Sequence, residues 1–387
     1  MYNYSFYKTR IHLLFYVFFK LTYSKLWNSF RNHFAFYLKL KKAGKTPSII
    51  TLQLTHHCNY SCIMCEKSSQ DESMYTKNVQ EMDFKVLEDL LRKNAKTISV
   101  LRLTGGEPFM YSGIDKLINL LNELKIKYSI LTNGFLLTEE RIKKLLKNCF
   151  EISFSIDSAD EEMYSYIRKN GNLKKVIENI EYINKSKEDR KTPYLNIATA
   201  CFTFNIDGLT DLVRFCKKYK IPTLSLGEGG YFNTTEIKED HFIRNNPDQI
   251  YRAVNRAQQE ADNLGITLRL NSPILYFSKE DNQVIANRNR ITGCINFFVS
   301  CLIQPDFRVK ICPNSEAIHS IKTTDLKTFW NSLLMKQLRE KAIASNFPPS
   351  CRYCNDYNKY FDKHAIGYSF IDFQKKTHYW ITDQEKN

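Results

Sequence analysis

Ser48-Ile49-Ile50-Thr51-Leu52-Gln53-Leu54, closely followed by Cys58-Asn59-Tyr60-Ser61-Cys62-Ile63-Met64-Cys65, is the stretch that decides the fold. Its first half is a short apolar run of the kind that forms a buried strand. Its second half has the spacing C-x3-C-x2-C. Three thiolates within eight residues can grip three corners of one small metal cluster, leaving a fourth iron with no ligand from this motif. A closed structural site takes four protein ligands. An open iron is instead a place where a small molecule binds and reacts. The cysteines therefore sit on the loop after a strand, poised for chemistry.

A second strand is expected at 98–103, followed by Thr104-Gly105-Gly106-Glu107-Pro108. Gly105 and Gly106 carry no side chains, so backbone there can approach a ligand closely. A strand, the cysteine triad with an apolar residue before its last Cys, a second strand and Gly-Gly-Glu-Pro together resemble the radical S-adenosylmethionine (SAM) superfamily. The resemblance implies a [4Fe–4S] cluster on Cys58, Cys62 and Cys65, with SAM chelating the open iron. It implies that the Gly105-Gly106 turn receives the SAM amino group. Glu107 then supplies negative charge near that cation, Pro108 fixes the turn, and Met64 lies along the adenine. Thr132-Asn133-Gly134 resembles the family's loop after the third strand. Ser155 and Asp157 match polar positions facing the ribose and methionine moiety, Arg168 a partner of the SAM carboxylate, and Asn205 another SAM contact. Each of these four residues has a plain alternative as a cap or surface group. The implied chemistry is reductive cleavage of SAM to a 5′-deoxyadenosyl radical that takes hydrogen from a substrate C–H bond, with a flavodoxin or ferredoxin as electron donor. A non-catalytic iron–sulfur or zinc protein is the contrary reading, and it predicts no SAM cleavage.

Strands and helices alternate beyond the triad. Strands are expected at 49–54, 98–103, 128–131, 151–156, 194–202 and 222–226. Helices are expected at 83–94, 113–124, 138–147, 173–185 and 207–219, with Asp83 and Asp207 as caps. Six strands joined by crossover helices make a parallel sheet. Six units fall short of an eight-unit barrel, and the resemblance implies a partial (β/α)6 barrel with ligands at the C-terminal strand ends. The fold class is thus α/β, with a small cysteine-rich C-terminal domain. The expected layout is an arm over 1–47, a core over 48–230, a bridging segment over 231–290 and an auxiliary domain over 291–387. A helix near 248–264 and a strand near 266–270 lie in the bridge.

Cys294, Cys312, Cys351 and Cys354 form a second constellation, and 303–312 reads as two short strands joined by a turn. The block resembles the C-terminal auxiliary-cluster extension called SPASM, or twitch when shortened. A full extension carries seven cysteines, whereas residues 294–387 hold five. A single-cluster version follows, with Cys301 as the spare or as a substitute for Cys294. The same four cysteines also suit zinc. Cys149, Cys201 and Cys216 read as small core residues, with a catalytic thiol at Cys201 the lesser alternative.

The chain has 387 residues, eleven cysteines and a net charge of +15. Clustered cysteines argue for metal ligation rather than disulfides, and reduced thiols for the cytoplasm. Residues 1–47 hold nine Lys and Arg and no acid, leaving +6 for the rest. Ile11–Phe19 is apolar apart from His12, too short to span a bilayer, and no small-residue cleavage site marks a signal peptide. Tyr23, Leu26, Trp27, Phe30, Phe34, Tyr37 and Leu38 recur at helical spacing, with Lys25, Arg31 and Lys39 between them. Such a helix suits the inner face of an anionic membrane. It equally suits packing on the enzyme's own body or a dimer partner. Nucleic acid is the least favoured partner.

One auxiliary cluster suits a net oxidation. The substrate is then a small or lipid-linked sugar or cyclitol, or a peptide that is oxidised or crosslinked. The short arm, smaller than a leader-binding module, leans toward the small or lipid-linked class. Glu228, after the sixth strand, is the candidate base pointing into the barrel, with Tyr231 assisting.

Overall fold

A computed structural model of the chain describes residues 21–65, 79–188, 190–229, 236–271, 294–313, 315–344 and 346. The expectations for Tyr231, Cys351, Cys354 and the first twenty residues of the arm lie outside the described residues.

Apolar residues alternate along β1 (Ile49–Gln53), so Ile50 and Leu52 turn to one face and are fully buried. The chain crosses over through α2 (Phe84–Asn94), whose Asp83 cap accepts a hydrogen bond from Val86 N–H. Leu87, Leu90 and Leu91, at helical spacing, form its buried stripe. The same alternation of strand and helix follows: β2 (Val100–Thr104), α3 (Ile114–Glu123), β3 (Lys127–Thr132), α4 (Glu139–Asn148) and β4 (Cys149–Ser155). Next come α5 (Glu161–Ile167), α6 (Leu173–Ser186), β5 (Tyr194–Cys201), α7 (Leu209–Lys218) and β6 (Thr223–Glu228). The expected elements all form. Sequence reasoning missed α5, a short helix capped by Asp160. Asp207 does not cap α7, because Gly208 holds the N-cap position. Asp207 instead pairs with Arg256 and accepts from Gln249.

The bridge adds α8 (Pro247–Leu264) and β7 (Thr267–Leu270), which joins β6 as a further parallel strand. The C-terminal block begins with α9 (Asn296–Val299) and β8 (Ser300–Ile303), and β8 pairs in parallel with β1. β9 (Arg308–Lys310) and β10 (His319–Ser320) continue antiparallel, and α10 (Leu326–Trp330) and α11 (Leu333–Ile343) follow. Among the described residues ten strands form one open sheet in the order β10-β9-β8-β1-β2-β3-β4-β5-β6-β7. This is a partial, unclosed barrel. The cysteine-rich block thus extends the core sheet from its β1 side.

The arm contributes α1 (Tyr23–Tyr37). Its buried face is polar: Lys25, Asn28, Ser29 and Asn32, with Ala35. Asn28 donates to Thr46 O and Thr97 O, each at 3.0 Å, and accepts from Lys45 N at 2.7 Å. Asn32 donates to Thr46 O and Ser48 Oγ, and accepts from Gly44 N at 2.8 Å. A Cβ on Gly44 would sit 2.6 Å from Asn28 Oδ1, so only glycine fits against these amides. Thr46, Thr97 and Lys125, which receives Lys25 Nζ, precede β1, β2 and β3. The helix therefore covers the N-terminal end of the barrel.

Candidate active site

The triad loop leaves β1 at the C-terminal end of the sheet and is clamped from two sides. On one side lies the turn after β2. Gly106 N donates to Thr55 O at 2.7 Å and Glu107 N to His57 O at 2.8 Å. Gly105 has φ +147°, and a Cβ there would lie 2.6 Å from Thr55 O. On Gly106 a Cβ would lie 2.3 Å from His57 O. The two glycines thus let the β2 turn press backbone to backbone on the residues just before Cys58. On the other side Ser61 N bonds to Lys169 O and Ile63 N to Ile167 O. Asn133 Nδ2 also reaches Asn59 Oδ1 at 2.8 Å.

Glu107 is buried and points to the end of β3. Its carboxylate accepts from Asn133 N at 2.8 Å, Thr132 Oγ1 at 2.7 Å and Phe109 N at 3.3 Å. Burial raises its pKa to about 7, against the pull of those three donors. Pro108 follows in a short 3-10 turn, Pro108–Met110. The three motifs Gly-Gly-Glu-Pro, Thr-Asn-Gly and Cys-x3-Cys-x2-Cys are therefore one hydrogen-bonded unit.

Asp157 and Arg168 meet each other, where the sequence placed both toward SAM. Asp157 Oδ1 accepts from Ala200 N at 2.8 Å. Arg168 Nη2 lies 2.8 Å from Asp157 Oδ2, and Nη1 lies 3.7 Å from Cys62 Sγ. Burial raises the Asp157 pKa and the guanidinium pulls it back. Burial likewise pushes the Cys62 thiol up, again opposed by Arg168. Asn205 spends its amide within the protein, donating to Asp157 O and Ala200 O and accepting from Phe202 N. It ties the end of β5 to the loop carrying Asp157. Met64 packs partly buried on the core.

Residues alternate faces along each strand. Gln53, Arg102, Thr104, Ser153, Ser155 and Asn196 fall on the face opposite the buried apolar residues. Ser225 Oγ donates to Asn196 Oδ1, and Asn196 Nδ2 to Ser153 Oγ. Arg269 pairs with Glu151 at 3.0 Å. Sequence reasoning missed this polar surface, whose signal was the polar member at every second position of the buried strands. Glu228 ends β6 half-buried. It shares the face of Leu224 and Leu226, both fully buried, and stands beside Cys201 in the register. Ser225 and Gly227 lie on the opposite face of the strand, in register with Ala198 and Ala200.

Among the other cysteines, Cys149, Cys201 and Cys216 are buried core residues with thiols raised by burial. Cys301 is likewise buried in β8, its thiol raised by burial. Cys294 is buried and Cys312 half-buried. Among the described residues no three His, Cys, Asp or Glu side chains could hold a single metal ion. Three thiolates that each ligate a different iron of a cluster need not converge on one point.

The triad loop suits the expected group on its own features. It carries three cysteines within eight residues, a guanidinium beside one of them, and a buried Arg168 Nε that finds no hydrogen-bond partner among the described residues. A buried donor left unsatisfied by the described residues has capacity for an acceptor from a bound group.

Comparison with known proteins agrees. The sequence model of the Radical SAM superfamily matches residues 52–216. GTP 3′,8-cyclase of Clostridium perfringens (strain SM101) is 26% identical over 283 residues, covering 70% of this chain and 80% of that protein. The antilisterial bacteriocin subtilosin biosynthesis protein AlbA of Bacillus subtilis is 29% identical over 124 residues, 32% of this chain and 27% of AlbA. Among solved structures, Streptococcus suis SuiB bound to precursor peptide SuiA superposes with a TM-score of 0.60 at 17% identity, covering 80% of this chain and 70% of that one. Native anSMEcpe with bound AdoMet superposes with a TM-score of 0.56 at 16% identity, covering 81% and 87%. These two likenesses carry the fold. Residues 52–216 form a radical SAM domain, which makes the chain an enzyme.

Proposed function

We propose that this enzyme modifies a peptide by a net oxidation at a C–H bond. The superfamily uses SAM and a [4Fe–4S] cluster, and Cys58, Cys62 and Cys65 are the residues that would hold that cluster. When bound, the two together supply a 5′-deoxyadenosyl radical that takes hydrogen from an unactivated carbon. The chain's own residues hold the triad loop rigid from both flanks and keep a positive charge, Arg168, beside Cys62. Ser155 and the polar strand face below it are offered to the substrate and the ribose. Cys294, Cys312, Cys351 and Cys354 would hold a second cluster, which suits acceptance of the electron left on the substrate.

The likeness to SuiB, a protein crystallised with its precursor peptide, is the observation that carries the peptide reading. The partial identity to AlbA, a bacteriocin biosynthesis protein, supports it independently. Both favour a peptide over the small or lipid-linked substrate suggested by the short arm. A nucleotide substrate is the second reading, favoured by the identity to GTP 3′,8-cyclase.

The test is anaerobic. The reconstituted, reduced enzyme is given SAM with either synthetic peptides encoded beside its gene or GTP. A peptide product lacking two hydrogens, formed with one 5′-deoxyadenosine per turnover, is expected. Consumption of GTP with no change in any peptide would replace this reading with the nucleotide one.

A further inference from the structure

The helix α1 is turned inside out relative to a helix that packs on a core. Its amides face the protein, and its aromatic residues, apart from Phe36, which packs edge-on against Phe298, face solvent. Trp27 is 49% exposed and Phe30 54%, and Tyr23, Phe34, Tyr37 and Leu38 are exposed with them. The rings form one ladder. Tyr23 stacks on Trp27 at 6.4 Å, Trp27 on Phe30 at 5.5 Å, and Phe30 on Phe34 at 5.5 Å.

Folding does not use this ladder. The helix is already fixed by Asn28 and Asn32, which are buried and bonded to the 44–48 segment and Thr97. An exposed apolar stripe of this size is a docking surface rather than a by-product of packing. Its chemistry names the occupant. Residues 21–47 hold six cations and no acid. Lys39, Lys42 and Lys45 are exposed just past the ladder, and the exposed Lys41 joins Glu340. A ladder of Trp, Tyr and Phe flanked by lysines matches the headgroup zone of an anionic bilayer, where amphipathic rings and cations are both favoured.

We propose that α1 and the lysines after it dock the enzyme on an anionic membrane surface, with the helix lying in the plane of the headgroups. The orientation follows. The helix covers the N-terminal end of the barrel, and the triad loop lies at the opposite, C-terminal end. Docking therefore leaves the active site facing away from the lipid, open to a water-borne substrate. This inference is independent of whether that substrate is a peptide.

The full-length enzyme is sedimented with vesicles of phosphatidylcholine alone or mixed with phosphatidylglycerol. Two variants are compared, Trp27→Ser/Phe30→Ser/Phe34→Ser and Lys39→Glu/Lys42→Glu/Lys45→Glu. The altered side chains are all exposed and distant from the site, and retained SAM cleavage in each variant confirms folding. Wild type is expected to bind the anionic vesicles only and to be released by high salt. Each variant is expected to lose binding, the charge-reversed one by on the order of a hundredfold or more, given the contribution of each basic residue near an anionic surface. Absence of binding to anionic vesicles would overturn the proposal, as would equal binding to neutral ones. It would also fall if the ladder proved to be a dimer seam, with sedimentation velocity showing a dimer that the serine variant dissociates and no lipid binding.

Discussion

Gly106 shows how one residue governs the site. A Cβ at this position would lie 2.3 Å from a backbone oxygen of the triad loop, a clash that no side-chain rotation relieves. Gly106→Ala should therefore displace the loop at a cost of about 3 kcal/mol or more and lower iron content and 5′-deoxyadenosine formation together. Iron analysis of the reconstituted variant checks this. Glu107 gives a second prediction. Its pKa in the fold is about 7, above the ordinary 4.5, because burial penalises its charge. The sign follows from linkage: its contribution to stability is whole below about pH 4.5 and is lost as pH rises through about 7. Denaturant unfolding of the cluster-free chain should show stability falling by at most about 3 kcal/mol across that window. Glu107→Gln should flatten the fall. These residues stood out in the sequence, but their partners did not. Two adjacent glycines signal close approach, while the sequence is silent on what is approached. The group approached by Gly106 is the His56–His57 backbone. Asp157 and Arg168 were legible as polar groups near the site, yet not as a pair, because ten residues, seven of them helical, lie between them along the chain.

At the scale of elements, the barrel strands were legible because their apolar runs are short, regularly spaced and punctuated by helices with clear stripes. The arm was legible only as a helix. The 3.6-residue period located the aromatic face, but no rule of periodicity says which face turns inward. Asn28 and Asn32 decide it, and they do so through bonds to Gly44, Thr46, Ser48 and Thr97. Arg339 is the corresponding hidden element of the C-terminal block. Fully buried, it donates to Phe297 O at 2.9 Å, Trp330 O at 2.8 Å and Lys41 O at 3.2 Å, and it stacks on the Trp330 ring at 4.6 Å. It pins α9, α10 and the arm together. Arg339→Ala strips two buried carbonyls and one half-buried carbonyl of their donor and should cost about 3–5 kcal/mol. Thermal unfolding should report it. Arg339→Lys, without the planar fork, should recover little of that loss.

The whole molecule separates two ends of one sheet. Loops at the C-terminal ends gather the cysteine triad, the Gly-Gly-Glu-Pro turn, the Asp157–Arg168 pair and the polar strand face. At the N-terminal ends the aromatic helix faces outward. Motif spacing made the first end readable, because Cys and Gly at fixed offsets carry chemistry. β8 was not foreseen as a continuation of the sheet beside β1, since parallel pairing between residues 49–52 and 300–303 leaves no local trace. The central claim is that the triad loop supports radical chemistry. The most direct test is 5′-deoxyadenosine formation from SAM by the anaerobically reconstituted, reduced enzyme, beside Cys62→Ala prepared identically. Formation by the wild type, with loss in the variant to the rate of a protein-free control, is the predicted result. Reconstituted, iron-loaded wild type that yields no 5′-deoxyadenosine, or Cys62→Ala as active as wild type, would contradict it.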